Sequence, residues 1–265
     1  MMGILWRVLE TYGLEPSQAI NPAYYQPGNK GNEQRRLSFE EFDEVQVRTL
    51  ALCQDPAMGL RIAQVLNPSH FGALGHALLA CDSLMSAFQI IQRYVRMANE
   101  TVQAVITETG DTVKIRIEEG KQHSHPDLSA DLALTSVLTM CRFIFGPQLV
   151  PQRVQLRRTR PDNPSPWFEV YGPGVQFAQA EDHLAFHIKD AQKPLTGSNQ
   201  KLVKVHEDIM QRYLLRKDRD SVVNQARLGL MESLPSGRVT EEDLAASLHI
   251  SKRTLHRKLR DQNLT

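Results

Sequence analysis

The chain of 265 residues is poor in the features that announce a secreted scaffold, a membrane protein or an enzyme. It has only three cysteines, Cys53, Cys81 and Cys141, spaced too widely for a metal knuckle or a redox pair. An odd, scattered count in apolar helical surroundings fits a reducing cytoplasm, where buried thiols behave as small hydrophobes. No stretch approaches the roughly 18 consecutive apolar residues of a membrane span, so no membrane partner is expected. The opening MMGILWRVLE carries Arg7 and Glu10 inside its apolar run and lacks a small-residue cleavage site. It reads as an amphipathic helix with Ile4, Leu5, Val8, Leu9 and Tyr12 at helical spacing, not as a signal peptide. G-x-S-x-G, P-loop, G-x-G-x-x-G and H-E-x-x-H patterns are all missing, and Cys81 beside Asp82 has no recognisable partner base. The expectation is a protein that is not an enzyme and has no cofactor.

A net charge of +1 is little for a nucleic-acid binder, but its distribution is uneven. Residues 199–265 hold 13 Lys and Arg against 9 Asp and Glu, whereas residues 1–198 hold 18 against 21. Within 251–265 five basic residues face the single acid Asp261. Positive charge gathered in one segment says more about partners than the total does.

Residues 1–100 read as helical. Phe39–Leu52 has apolar residues at helical spacing, and Ser38-Phe39-Glu40-Glu41 is a capping-box pattern. Leu84–Ala98 carries the stripe Leu84, Phe88, Ile91, Val95 and Ala98, with Asp82 or Ser83 as its cap. Gly72 and Gly75 mark a tight spot between the two. The period then changes to two: Val102, Ala104, Ile106 and Val113, Ile115, Ile117 flank Thr109-Gly110-Asp111, a hairpin pattern. A helix over Leu128–Phe145 ends at Gly146-Pro147, and strands follow at 153–157, 175–178 and 184–188. Residues 190–198 read as a linker, with helices beyond it at 199–216 and 220–233.

The segment TEEDLAASLHISKRTLHRKLRDQ from Thr240 carries the functional argument. Thr240 caps a helix whose first turn holds Glu241, Glu242 and Asp243, where the helix dipole favours negative charge. Leu244, Ala245 and Leu248 form its apolar face, and Ile250 plugs the turn. Ser251 caps a second helix with Leu255 and Leu259 inward and Lys252, Arg253, His256, Arg257 and Arg260 outward. Helix, short turn and basic helix is the layout that fits a major groove. Arg253, His256 and Arg257 are placed to read base edges, and Ser251, Lys252 and Arg260 to touch phosphates. The same pattern also describes a helical hairpin with a solvated basic face.

Other clusters are weaker. His123, Ser124, His125 and Asp127 look metal-like, but Pro126 suggests a solvated loop entering a helix capped by Asp127 or Ser129, and further zinc ligands are wanting. His183 and His187 would stand more than roughly 10 Å apart along a strand and flank it. His70 and His76 read as structural. Arg93, Arg96, Arg116 and Arg142 are candidates for an anionic ligand, each better explained as a surface charge. Leu202, Val205, Ile209 and Tyr213 form a stripe suited to a homodimer seam or to packing on the first domain.

SKRTLHRKL, with DLAASLHI before it, resembles the first helix-turn-helix of the AraC/XylS family of bacterial transcription regulators. Gly59-Leu60, Phe71-Gly72-Ala73-Leu74-Gly75, Ala87-Phe88 with Arg93-Tyr94, then Val154, Pro161 and Phe177, are similar to the branch with an arabinose-binding-like regulatory domain. The resemblance implies an α+β regulatory domain over residues 1–195 for effector binding or dimerisation. It also implies an all-α DNA-binding domain over 196–265, of which only the first of two helix-turn-helix units is present, as in a truncated chain. Promoter DNA, a small-molecule effector of unknown identity and a second copy are the partners it implies. The alternative is a small-molecule-binding or dimerisation module without autonomous DNA binding.

Overall fold

The computed structural model describes residues 2–28, 37–97, 102–120, 122–217, 230, 240–248 and 250–260. The chain divides into two compact units, residues 1–203 and 204–265.

The first unit is α+β. Its helices are α1 (Met2–Thr11), α2 (Phe39–Cys53), α3 (Ile62–Val65), α4 (Ala73–Leu79), α5 (Leu84–Tyr94), α6 (Pro126–Phe145), α7 (Ser165–Tyr171) and α8 (Ile188–Ala191). Its strands are β1 (Val102–Thr109), β2 (Thr112–Glu119), β3 (Arg153–Gln155), β4 (Val175–Gln176) and β5 (His183–His187), in the spatial order β1-β2-β5-β3-β4. All neighbours are antiparallel except β3 and β4. The parallel pair is joined through α7, a helix absent from the sequence reading, because strands running the same way need a crossover.

Local chemistry sets the boundaries. Ser38 and Glu41 close the expected capping box on α2, and the Ser83 hydroxyl caps α5. Thr109 faces Thr112 across a two-residue hairpin turn, with Gly110 at φ +60°, the conformation a type II′ turn requires at that position. Gly75 is dictated by space: a Cβ there would lie 1.9 Å from the Pro68 carbonyl oxygen. Gly59 plays a similar part, since its Cβ would come within 2.9 Å of the Asp131 Cβ on α6.

One face of the sheet carries Val113, Ile115, Val154, Leu184 and Phe186, all buried, and α5 and α6 lie against the sheet. Phe88 of α5 and Phe186 of β5 approach to 5.5 Å between ring centroids. Each such side chain contributes about 1.5–3 kcal/mol on burial. By length and composition α6 would suit a membrane, contrary to the reading that no such run exists, but 67% of its apolar 18-residue window is buried as the central core helix. It holds Asp131 in that core. The Asp131 carboxylate accepts from Trp167 Nε1 at 3.0 Å and pairs with the Arg158 guanidinium, which stacks 4.2 Å from the Trp167 ring centroid.

Three readings are corrected here. Helix α6 starts at Pro126 with His125 before it, so neither Asp127 nor Ser129 is its cap. The stretch 190–198 is tied down: Ala191 ends α8, and Leu195 and Asn199 donate backbone hydrogen bonds to the Asp82 and Ala80 carbonyls. His183 is a buried strand residue, whereas His187 is exposed.

Helix α9 (Gln200–Lys217) buries Val203 and Met210 and leaves Leu202, Val205 and Ile209 about half exposed. The second unit also contains α10 (Glu241–Ser247) and α11 (Lys252–Arg260). The helix expected over 220–233 lies outside the described residues, Leu230 apart.

Candidate nucleic-acid interface and ligand cavity

Helices α10 and α11 pack through a small core in which Leu244, Ala245 and Leu255 are buried and Leu248 and Ile250 sit against them. The Thr240 hydroxyl caps α10 with Asp243 as its reciprocal partner, and the Ser251 hydroxyl accepts from the Thr254 amide at the start of α11. Leu255 turned inward forces its helical neighbours outward: Lys252, Arg253, His256 and Arg257 are all exposed. The side chains of Leu259 and Arg260, and the whole of His249, lie outside the described residues.

The exposed basic residues fall into two sets. Lys252 Nζ reaches Glu241 at 2.7 Å and Glu242 at 2.8 Å, and His256 Nε2 lies 3.1 Å from Glu241. Hydrogen bonding to the two carboxylates raises the Lys252 ammonium above its usual range, and Lys252 in turn lowers both glutamates. Arg253 and Arg257 have no ion pair among the described residues. Both are exposed guanidinium forks.

A second feature, unread in the sequence, lies in the first unit. A half-open cavity of about 100 Å³ is enclosed by α2, α4, α5, α6 and the β1–β2 hairpin. Its wall is hydrocarbon, with Phe42, Phe71, Leu78, Ile91, Val137 and Met140 among its members. Four polar residues interrupt it: Gln46, Ser129, Ser136 and Glu119. Ser129 Oγ donates to Gln46 Oε1 at 2.8 Å, and Ser136 Oγ donates to the Leu132 carbonyl at 2.6 Å. None of Arg93, Arg96, Arg116 and Arg142 lines it. Arg142 instead donates to the Leu149 and Val170 carbonyls, and Arg116 pairs with Glu118 and Glu181. The signal that could have pointed here is Gln46, a polar residue next to Val45 within the apolar pattern of α2, which the structure buries.

Beside Glu119, the loop that looked solvated is a latch. The His123 side chain is fully buried, with its ring 4.4 Å from that of Phe39. Its Nδ1 lies 2.9 Å from Asp43, and Asp43 also accepts from the Ser124 amide and hydroxyl. His123 Nε2 is 3.2 Å from Glu119 but lacks the alignment of a hydrogen bond. Burial opposes the charged imidazole, yet the two flanking carboxylates more than offset it and the pKa is raised. For Asp43 burial is likewise outweighed, by the Ser124 bonds and His123, and the pKa is lowered. His125 and Asp127 do not join the latch, and no group of metal-ligating side chains forms among the described residues.

Comparison with known proteins places these features. Residues 13–195 match the arabinose-binding domain of AraC transcription regulators, N-terminal. The chain is 26% identical over 250 residues to an ornithine utilization regulator of Pseudomonas aeruginosa, covering 94% of this chain and 74% of that protein. It is 19% identical to the helix-turn-helix regulator VirS of Mycobacterium tuberculosis, covering 97% and 76%. Among solved structures, the transcriptional regulator CdpR from Pseudomonas aeruginosa is similar in fold, with a TM-score of 0.59 at 18% identity over 99% of this chain and 80% of that one.

Proposed function

Since the chain belongs to the AraC transcription regulators with an arabinose-binding N-terminal domain, we propose that it regulates transcription by reading promoter DNA through α11, under the control of residues 1–195. Those residues sense a small molecule, pair with a second copy, or both. Residues 196–265 supply the linker helix and the helix-turn-helix. Arg253, His256 and Arg257 read base edges, and Ser251, Lys252 and Arg260 hold phosphates. The observation that carries this reading is the exposed Arg253 and Arg257 pair on the outer face of a helix whose Leu255 is buried.

A second reading has its own support. Glu241 and Glu242 already neutralise Lys252 and engage His256, which removes part of the positive face that phosphates would need. Under that reading the chain is a ligand-binding or dimerisation module that does not hold DNA alone. Fluorescence anisotropy with the chain's own upstream DNA, a scrambled competitor and a salt series separates the two. Saturable, sequence-selective binding that Arg257→Ala weakens by about 1–3 kcal/mol supports the first reading. Binding that ignores sequence and vanishes with salt, or no binding, supports the second.

A further inference from the structure

The cavity of the first unit combines a hydrocarbon wall with a carboxylate. Among the described lining residues Glu119 is the only ionisable side chain. The neighbouring Asp43, Glu119 and His123 leave one unit of negative charge even with the imidazole protonated, and exposed Asp127 adds to it. Among the described residues Arg157, which lies within electrostatic reach of Glu119, is engaged by Asp182 at 2.5 Å. Inside, the hydroxyl hydrogens of Ser129 and Ser136 are used within the protein, so their oxygens can only accept. An anionic head would meet the Glu119 carboxylate, and among the described polar lining residues only the Gln46 amide would offer it N–H donors. A cationic head would meet Glu119, a carboxylate shared with His123 in a cluster that keeps a net negative charge, in partly desolvated surroundings where pairing is strongest.

We propose that this cavity binds a small apolar amine: a ring or branched carbon body inside, and an ammonium set against Glu119 at the mouth. The size agrees. A dry cavity of roughly 150 Å³ takes a benzene molecule, and the 100 Å³ here opens on one side, so a single ring with a protruding arm is accommodated. The proposal deepens the reading that residues 1–195 sense a small molecule and rests on it.

The test is calorimetric titration of the whole chain with three probes that share a body and differ in head: benzylamine, benzyl alcohol and benzoate. Benzylamine is expected to bind best, benzyl alcohol less well, and benzoate not at all. Glu119→Gln lowers benzylamine affinity about tenfold, to the level of the alcohol, which is the size of one charge-assisted hydrogen bond. Ala133→Leu fills the cavity from the α6 side and abolishes binding of every probe while the protein keeps its cooperative melting. Should that variant fail to fold, Ser136→Val occupies the same wall. Equal binding of benzoate, binding unchanged by filling the cavity, or no binding of any probe overturns the proposal. Promoter binding without any probe bound sinks this inference alone, whereas probe binding without promoter recognition sinks the DNA reading alone.

Discussion

Both units carry surface ion pairs, but among the described residues the ion pair between Asp131 and Arg158, sealed inside a core with side-chain exposures of 1% and 9%, belongs to the first. In the second, ionic contacts such as Lys252 with Glu241 and Glu242 lie on the surface, over the small described core of Leu244, Ala245, Leu248, Ile250 and Leu255. A buried pair is rigid because neither partner can be released to water without a large cost; a surface pair exchanges freely with solvent and with incoming phosphates. The contrast suits a folded sensor joined to a contact surface whose partners must be replaceable.

The largest expected effect is on the buried pair. Arg158→Ala removes the cation that opposes the effect of burial on Asp131, whose pKa burial already pushes up to about 7, so the acid loses its partner and is driven to take up a proton. The first unit should be destabilised by about 3–5 kcal/mol in denaturant titration. An unchanged midpoint would mean that water reaches Asp131 and that the two units do not differ in this respect. Next comes Leu255→Ala, which removes a central side chain from the small core, a loss of about 2–5 kcal/mol. The α10–α11 pair is expected to melt and DNA binding to disappear while the first unit unfolds at its usual midpoint. A shift of both transitions together would show that the two units unfold as one.

These two sites were unequally visible in the sequence. The Leu244, Ala245, Ile250 and Leu255 core was legible because its residues lie within one short segment and follow helical spacing. Helices α2, α5 and α6 and the β1–β2 hairpin were legible for the same reason: period and caps are local. Asp131 was overlooked, although an acid inside the run Leu128–Cys141 was a signal that something must compensate it. Its partner Arg158 is 27 residues away and on no periodic face. Helix α7 was missed because seven residues between prolines and a glycine give no measurable period. The cavity was invisible because its wall draws on five elements, each of whose residues looks like ordinary core. The metal-like look of His123 and His125 misled, since the partner of His123 is Asp43, 80 residues upstream.

That latch provides a smaller, pH-dependent test. The His123 pKa is raised on folding, so its stabilising contribution is full below the ordinary histidine range and is lost as pH rises through the raised value. Thermal melting between pH 6 and 9 should show the first unit weakening as His123 deprotonates, and Asp43→Asn should flatten that slope. The Asp43 contribution has the opposite sense, being lost only in acid as pH falls through its lowered value. A melting curve indifferent to pH over that range would mean that the imidazole stays neutral between its two carboxylates.

The smallest effect on stability, and the sharpest on the comparison, is expected from Lys252→Ala. The Lys252 side chain is exposed and its two glutamates can turn to water, so the melting midpoint should not move. DNA binding should respond in a particular way. If Lys252 exchanges its glutamates for a phosphate, its loss weakens binding to cognate and scrambled DNA alike and reduces the salt slope by about one. Arg257→Ala should do the reverse, affecting the cognate site more than the scrambled one. Glu241→Gln supplies the complementary arm: with one carboxylate neutralised, Lys252 and His256 are released, and binding to any DNA should strengthen. Were Lys252→Ala to leave DNA binding and its salt slope untouched, the ammonium would belong to the fold of the helix pair and not to its surface for DNA.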